Sequence, residues 1–332
     1  MIHKKTVLLA VGALLFALLS VLAGLMSGAA GLTLTELWDA FADTQRATAA
    51  GRIVWYVRVP RVAGAMICGA ALAVSGAVIQ GVLGNPLASP GMIGINAGAG
   101  FAVVLCAACG ILGGWRLSAA AFLGAFLTAL TVSAAAHRFG ASDSIVILIG
   151  AAVNSLLGAC SDTVTTLVPD VSVQSTFFRA GDFSSVTAQS LRVPSVIILC
   201  ALGLLLFLTN ELDVLGLGEE TARGLGMHTG RMRVLFLLLA ALLAGAAVST
   251  AGLLSFIGLL VPHAVRRLTG GGAGMLLPMC AVLGGAFTVL CDTAARTLFA
   301  PYELPVGILL AFLGAPFFLF LLLRGRGGQD HA

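Results

Sequence analysis

The stretch LGLGEETARGLG at 215–226 sets two carboxylates and a guanidinium between two pairs of glycines, with long apolar runs on either side. Glu219 and Arg223 are four apart with the acid first, the order that pairs side chains along a helical turn. Gly216 and Gly218 can open such a helix, and Gly224 and Gly226 can close it. A short, stiff, charged helix, with Glu220 beside the pair, suits a polar groove on another protein. A solvated connector would need no particular sequence. Other reactive groups point nowhere so definite. Cys106 and Cys109 form a CxxC, but no histidine lies near, so they read as two small, soft side chains on one helix face. Lys4 and Lys5 are the only lysines, which rules out a GxxxxGK[ST] phosphate loop. There is no HExxH and no carboxylate dyad, so no catalytic residue, metal site or bound cofactor is expected. A net charge of +4 gives no reason to expect a nucleic-acid partner.

The elements that must hold the charged stretch are apolar. Of 332 residues, 59% are hydrophobic and 10% charged, against about a quarter charged in soluble domains. Runs of about 20 residues carry no charge at all, enough to cross a hydrocarbon layer as helices. The fold class is therefore all-α integral membrane, one transmembrane domain over 1–332. Spans are expected near 6–26, 62–83, 92–112, 117–136, 144–161, 194–209, 233–250, 254–268, 275–295 and 305–323. The first run follows Lys4 and Lys5 as a signal peptide would. It is longer than a signal core, and is read as a retained span. The run 233–268 holds Ser249, Gly252, Gly258 and Pro262, which predict a break and a short return helix.

Ten spans place both termini on one side, here the cytoplasmic one. Ten Lys and Arg then fall inside and eight outside, a weak bias, so the outer arginines need another reason. Asp143, Asp162 and Asp292 all fall near span ends. A secondary carrier driven by an ion gradient, the rival reading, would want carboxylates at mid-membrane. The deeper polar groups are Asn154 and Gln80. They either face a water-filled path or hydrogen-bond a neighbouring helix. The segments 69–86 and 245–262 both open on Gly-Ala-Ala and close on Pro, a faint echo that an inverted repeat explains, or, nearly as well, the recurrence of small residues for packing.

Four blocks together carry a family likeness. RVPRVAGAMICGAALAVSGAVIQGVLGNPLASPGMIGINAGAG (58–100), LGEETARGLG (217–226), SFIGLLVPHAVRRLTG (255–270) and the stretch from Asp292 to Arg324 resemble, in order, the FecCD/BtuC-type permeases. These are membrane subunits of type II ABC importers for iron-siderophores, haem and cobalamin. The resemblance implies a BtuC-like ABC permease fold of ten helices, some short or broken, in a bacterial or archaeal inner (plasma) membrane. It implies a homodimer with two ATP-binding cassette subunits below and an extracytoplasmic substrate-binding protein above. ATP would be bound by the partner ATPase, and the path would be lined by the fifth and tenth spans, within membrane lipid.

The resemblance also assigns residues. Gly216, Gly218, Glu219, Glu220, Arg223, Gly224 and Gly226 would form the ATPase-coupling segment. Arg58, Arg61 and Arg296 would meet carboxylates of the binding protein, with Asp292 one turn away from Arg296 to hold it. Asn85, Leu87, Ser142 and Ser144 would form the cytoplasmic gate, where NPLASPG breaks the backbone; ordinary turn chemistry is the competing reading there. The segment FFRAGDF (177–183) departs from the family pattern through Arg179 and Asp182. The expected cargo is an iron chelate, siderophore or haem, with cobalamin as the alternative.

Overall fold

A computed structural model describes residues 2–28, 31–43, 46–138, 143–270 and 272–326. The chain opens with α1 (Ile2–Met26) and the short α2 (Leu34–Ala42). Helix α3 (Ala49–Ile53) passes through one π-helical turn, Val54–Arg58, into α4 (Val59–Val82). A 3-10 turn at Pro90–Ile93 leads to α5 (Ile95–Ala108), α6 (Gly114–Arg138) and α7 (Asp143–Leu167). Next come α8 (Val171–Ala180), α9 (Ala188–Phe207), α10 (Thr209–Gly216) and α11 (Glu219–Gly224). The chain finishes with α12 (Thr229–Ala251), α13 (Ile257–Thr269), α14 (Ala273–Thr297) and α15 (Val306–Arg326). No strand occurs among the described residues.

Among the described residues, seven helical stretches are long and apolar enough to cross a membrane: α1, α3–α4 together, α6, α7, α9, α12 and α14. Helix α5 and the stretch Val306–Phe320 of α15 are apolar but shorter. Helix α13 has 13 residues, roughly 20 Å of rise, and cannot cross a layer of about 30 Å alone. The shortening has local causes. Pro90 lacks an amide donor and the turn it starts ends at Gly94, which has φ +87°, so α5 begins late. The run expected to break at 249–252 does so: Gly252 closes α12 with φ +72°, and Phe256 caps α13 with φ +67°.

Helices α4 and α12 form the centre, 83% and 72% buried along their most apolar stretch, while α1 and α7 are 17% buried and sit at the edge. Small residues let the central helices close up. A Cβ on Gly69 would lie 2.5 Å from the Gly284 carbonyl oxygen of α14, and one on Gly98 2.3 Å from that of Gly124 in α6. In lipid, where apolar side chains gain little from hiding, this close packing does much of the binding between helices.

Candidate functional site

At one end of the bundle the C-terminus of α1, the start of α4 and the end of α14 converge, bringing Arg58, Arg61 and Arg296 together. They do not form an open rim. Arg58, Arg61 and Arg296 are only 3–5% exposed, and each has internal partners. The Asp292 carboxylate accepts three hydrogen bonds from Arg61, at 3.0–3.1 Å from Nε and Nη2. Arg61 Nη1 also donates to Glu303 at 2.7 Å, and Asp182 lies 3.6 Å from Nη2. The expected pairing of Asp292 with Arg296 is present, as a 3.4 Å ion pair.

The other two guanidiniums reach the first helix. Arg58 Nη1 donates to the carbonyls of Leu25 and Met26, at 2.6 and 2.9 Å. Arg296 donates to those of Gly24 and Ser27, at 2.6 and 2.9 Å. A helix leaves its last four carbonyls without intrahelical donors and with a partial negative charge, so two cations there answer both needs. The expectation of outward-facing cations thus meets a closed arrangement, because helix-end carbonyls and a buried carboxylate are nearer partners. Arg179 and Asp182 do not pair with each other: Arg179 lies 3.4 Å from Asp162. The backbone N–H of Asp182 donates to Ala251, at 2.8 Å, and that of Gly307 to Gly181, at 3.1 Å, so this corner joins α12, α8 and the start of α15.

At the opposite end α10 and α11 form a hairpin. Gly218, with φ +100°, precedes the first turn of α11, and Gly226, with φ +87°, follows its last. Gly216 ends α10 and Gly224 ends α11. Arg223 donates to Glu219 at 2.6 Å, the pair legible from the spacing, and to the Thr229 hydroxyl of α12 at 3.2 Å. Arg233 lies 3.9 Å from the second Glu219 oxygen. Glu219 and Arg223 therefore brace the hairpin against α12. Glu220 is exposed, together with Leu217 and Leu225. These two leucines went unnoticed in the sequence, where they look like any others. Asp213 of α10 accepts a 2.8 Å hydrogen bond from the Ala273 N–H, at the start of α14.

Between the two ends the helix breaks meet. Gln80 Nε2 donates to the Gly258 carbonyl at 3.1 Å while its oxygen accepts from Arg266 at 2.6 Å. Asn154 Nδ2 donates to the Gly91 carbonyl at 3.0 Å. The Gly258 carbonyl needs this donor because the residue one helical turn on is Pro262, which has no N–H to offer. Gln80 is internal, 3% exposed, and lines no open path in this structure. The Asn85 side chain accepts from the Leu87 N–H at 2.9 Å, an Asx turn. Leu87, Pro90, Ser255, Phe256 and Phe318 line a half-open cavity of about 280 Å³. Ser142 lies outside the described residues, as does the side chain of Ser144.

A broken-helix bundle with a braced charged hairpin at one end describes a class, membrane transport proteins with discontinuous spans. Comparison with known proteins makes it particular. Residues 14–324 match the FecCD transport family. The chain is 38% identical over 315 residues to the hemin transport permease HmuU of Yersinia pestis, covering 90% of each. It is 37% identical over 304 residues to the iron(3+)-hydroxamate import permease FhuB of Bacillus subtilis, covering 91% of this chain and 79% of that one. It is 38% identical over 283 residues to the vitamin B12 import permease BtuC of Yersinia pseudotuberculosis, covering 82% of each. The solved structure of a metal-chelate type ABC transporter, in an inward-facing conformation, superposes with a TM-score of 0.85 at 29% identity, covering 94% of this chain and 98% of that one. The chain belongs to the FecCD transport family, and is a membrane-embedded permease subunit of an ABC importer.

Proposed function

We propose that this permease carries an iron chelate, a siderophore complex or haem, through the inner membrane in ten crossings, with both termini cytoplasmic. A homodimer of the chain works with two ATPase subunits and an extracytoplasmic binding protein. The cavity at the helix breaks is not the cargo path. At about 280 Å³ it lies at the small end of ligand pockets, too small to hold a siderophore complex or haem. The cargo then passes between two copies, along faces such as the exposed Leu148 and Leu156 of α7 and Phe312 of α15. Asn85 and Leu87, with Ser142 and Ser144, form the cytoplasmic gate. Arg58, Arg61 and Arg296 serve docking from within, by fixing the ends of α1, α4 and α14 beneath the binding protein.

The observation that carries the reading is the α10–α11 hairpin. Its rear is held by Glu219, Arg223 and Asp213, while Leu217, Glu220 and Leu225 face outward. An exposed apolar pair around one carboxylate suits a partner groove, and ATP hydrolysis there moves the hairpin. Leu217→Asp with Leu225→Asp is expected to abolish co-purification of the ATPase and ATP-dependent uptake of labelled ferric hydroxamate or haem. Glu219→Gln is expected to leave ATPase binding intact. Normal uptake by the double variant, or accumulation by the permease alone on a proton gradient, would overturn the reading. Uptake of cobalamin in place of both iron chelates would move the cargo to the alternative.

Asp213 makes a separate prediction. Its bond to Ala273 ties the hairpin to the start of α14, and losing a cap of this kind costs about 1 kcal/mol. Asp213→Ala is expected to keep the ATPase bound and hydrolysing while uptake per ATP falls. An unchanged ratio of uptake to hydrolysis would show that hairpin movement reaches the bundle without this bond.

A further inference from the structure

The segment between α1 and α4 carries a feature that transport does not explain. Helix α2 is well started: Thr33 and Glu36 form a capping box, with the Thr33 N–H donating to Glu36 at 2.8 Å and the Glu36 N–H donating back at 3.3 Å. Eight of its nine residues then divide into three faces. Leu37 and Ala40 are buried against the bundle. Thr35, Glu36 and Asp39 form an exposed polar face. Leu34, Trp38 and Phe41 form an exposed apolar face, with Trp38 76% exposed. At 100° per residue the apolar and polar faces point roughly 140° apart.

The apolar face continues a surface whose solvent is known. The chain is a multi-pass membrane protein, so the exposed Leu8, Leu15 and Leu19 along α1 face lipid. Helix α2 follows α1 directly, and the Leu32 N–H donates to Met26 at the α1 end, at 3.1 Å. Beside it, Tyr56 and Val57 are exposed where α4 begins. Phe41 packs edge-on against Trp55 at 5.4 Å, and the Trp55 indole N–H donates to the Ala40 carbonyl at 3.2 Å. Arg46 lies over both Trp55 and Tyr56, at 5.3 and 5.0 Å from the ring centres. The Asp43 carboxylate shapes this turn, accepting from the N–H groups of Thr48 and Ala47 at 2.9 and 3.2 Å. Those donors, Thr48 first, hold the Asp43 carboxyl below its usual range. Tryptophan, tyrosine and a long cation gathered at the end of the spans are what the headgroup zone of a bilayer favours.

We infer that α2 lies in the plane of the membrane–water interface, with Leu34, Trp38 and Phe41 in the bilayer and Arg46 at the level of the lipid phosphates. It is an anchor for the end of α1, whose last carbonyls Arg58 and Arg296 hold. The occupant of this face is lipid, and the inference rests on the membrane location of the chain rather than on its cargo.

The test uses the full permease–ATPase complex in vesicles of phosphatidylcholine brominated either near the headgroup end or near the tail end of the acyl chain. Subtracting the emission of Trp38→Phe from that of the unaltered protein isolates Trp38, and the exposed position makes the substitution harmless to folding. The difference signal is expected to lose most of its intensity in shallow-brominated vesicles and far less in deep-brominated ones. Three outcomes would overturn the inference. They are a signal untouched by either lipid, a signal quenched more by deep bromine, and a signal quenched by dissolved iodide that saturating binding protein then shields.

Discussion

Asp292→Asn is expected to leave little folded permease in the membrane and to abolish uptake by what remains. The carboxylate is 1% exposed and lies between two guanidiniums, three bonds to Arg61 and a 3.4 Å ion pair to Arg296. The whole cluster balances: Arg58, Arg61 and Arg296 against Asp182, Asp292 and Glu303. Removing the central anion leaves two buried cations facing one another, and breaking a buried pair in this way costs about 3–5 kcal/mol. That is a large share of the stability of most proteins. The neighbouring Glu303 gives the contrast. It also bonds Arg61, at 2.7 Å, but its side chain is 43% exposed, so water replaces it readily. Glu303→Gln is expected to cost about 1 kcal/mol or less. Thermal melting of the detergent-solubilised complex, with surface yield, reads both. Equal melting for Asp292→Asn and the unaltered protein would mean the cluster is wetter and looser than its geometry, and the arginines free to turn outward.

Local sequence made some of this legible and left the rest hidden, for physical reasons. The Glu219–Arg223 pair and the bracketing glycines are one helical turn of information, and α11 forms where they place it. The break at 249–252 could be read because Gly and Ser punctuate an otherwise unbroken apolar run. The partner of Asp292 could not be read. One turn of helix offers Arg296, four residues on, yet the stronger bonds come from Arg61, 231 positions away. Nothing periodic marks that meeting. The arginines that defied the charge bias illustrate the same limit. A count of loop cations assumes that each sits in water. Three of these sit inside the protein on helix-end carbonyls and a carboxylate, so the count gives them a meaning they lack. Helix lengths misled for a related reason. Hydropathy sees apolar composition and not where a proline or a left-handed residue stops the helix, so α5 and α13 are shorter than the runs that contain them.

Gly76→Ala carries the other large expectation: no folded complex at all. Position 76 is in the middle of α4, where alanine would ordinarily strengthen the helix by about 1 kcal/mol. The contact decides the sign. A Cβ there would lie 1.8 Å from the Gly258 carbonyl oxygen and 2.4 Å from its carbonyl carbon. Overpacking costs about 1–3 kcal/mol when side chains can turn aside. Here the obstacle is backbone, at the first turn of α13, and it is fixed from two sides. Gln80 holds the Gly258 carbonyl, and Arg266 of the same short helix holds Gln80. Relief would require α13 to slide, which would pull both bonds apart and strand the Gly258 carbonyl, since Pro262, four residues on, has no N–H to offer it. Gly203→Ala in α9, where an added Cβ would meet no atom within 4 Å, is the matched control and is expected to be neutral or slightly stabilising. Yield and melting temperature of the purified complex give the comparison. A normal Gly76→Ala protein would show that α13 rides free of α4, and the break at 252–256 would then be a hinge where this structure has a fixed joint.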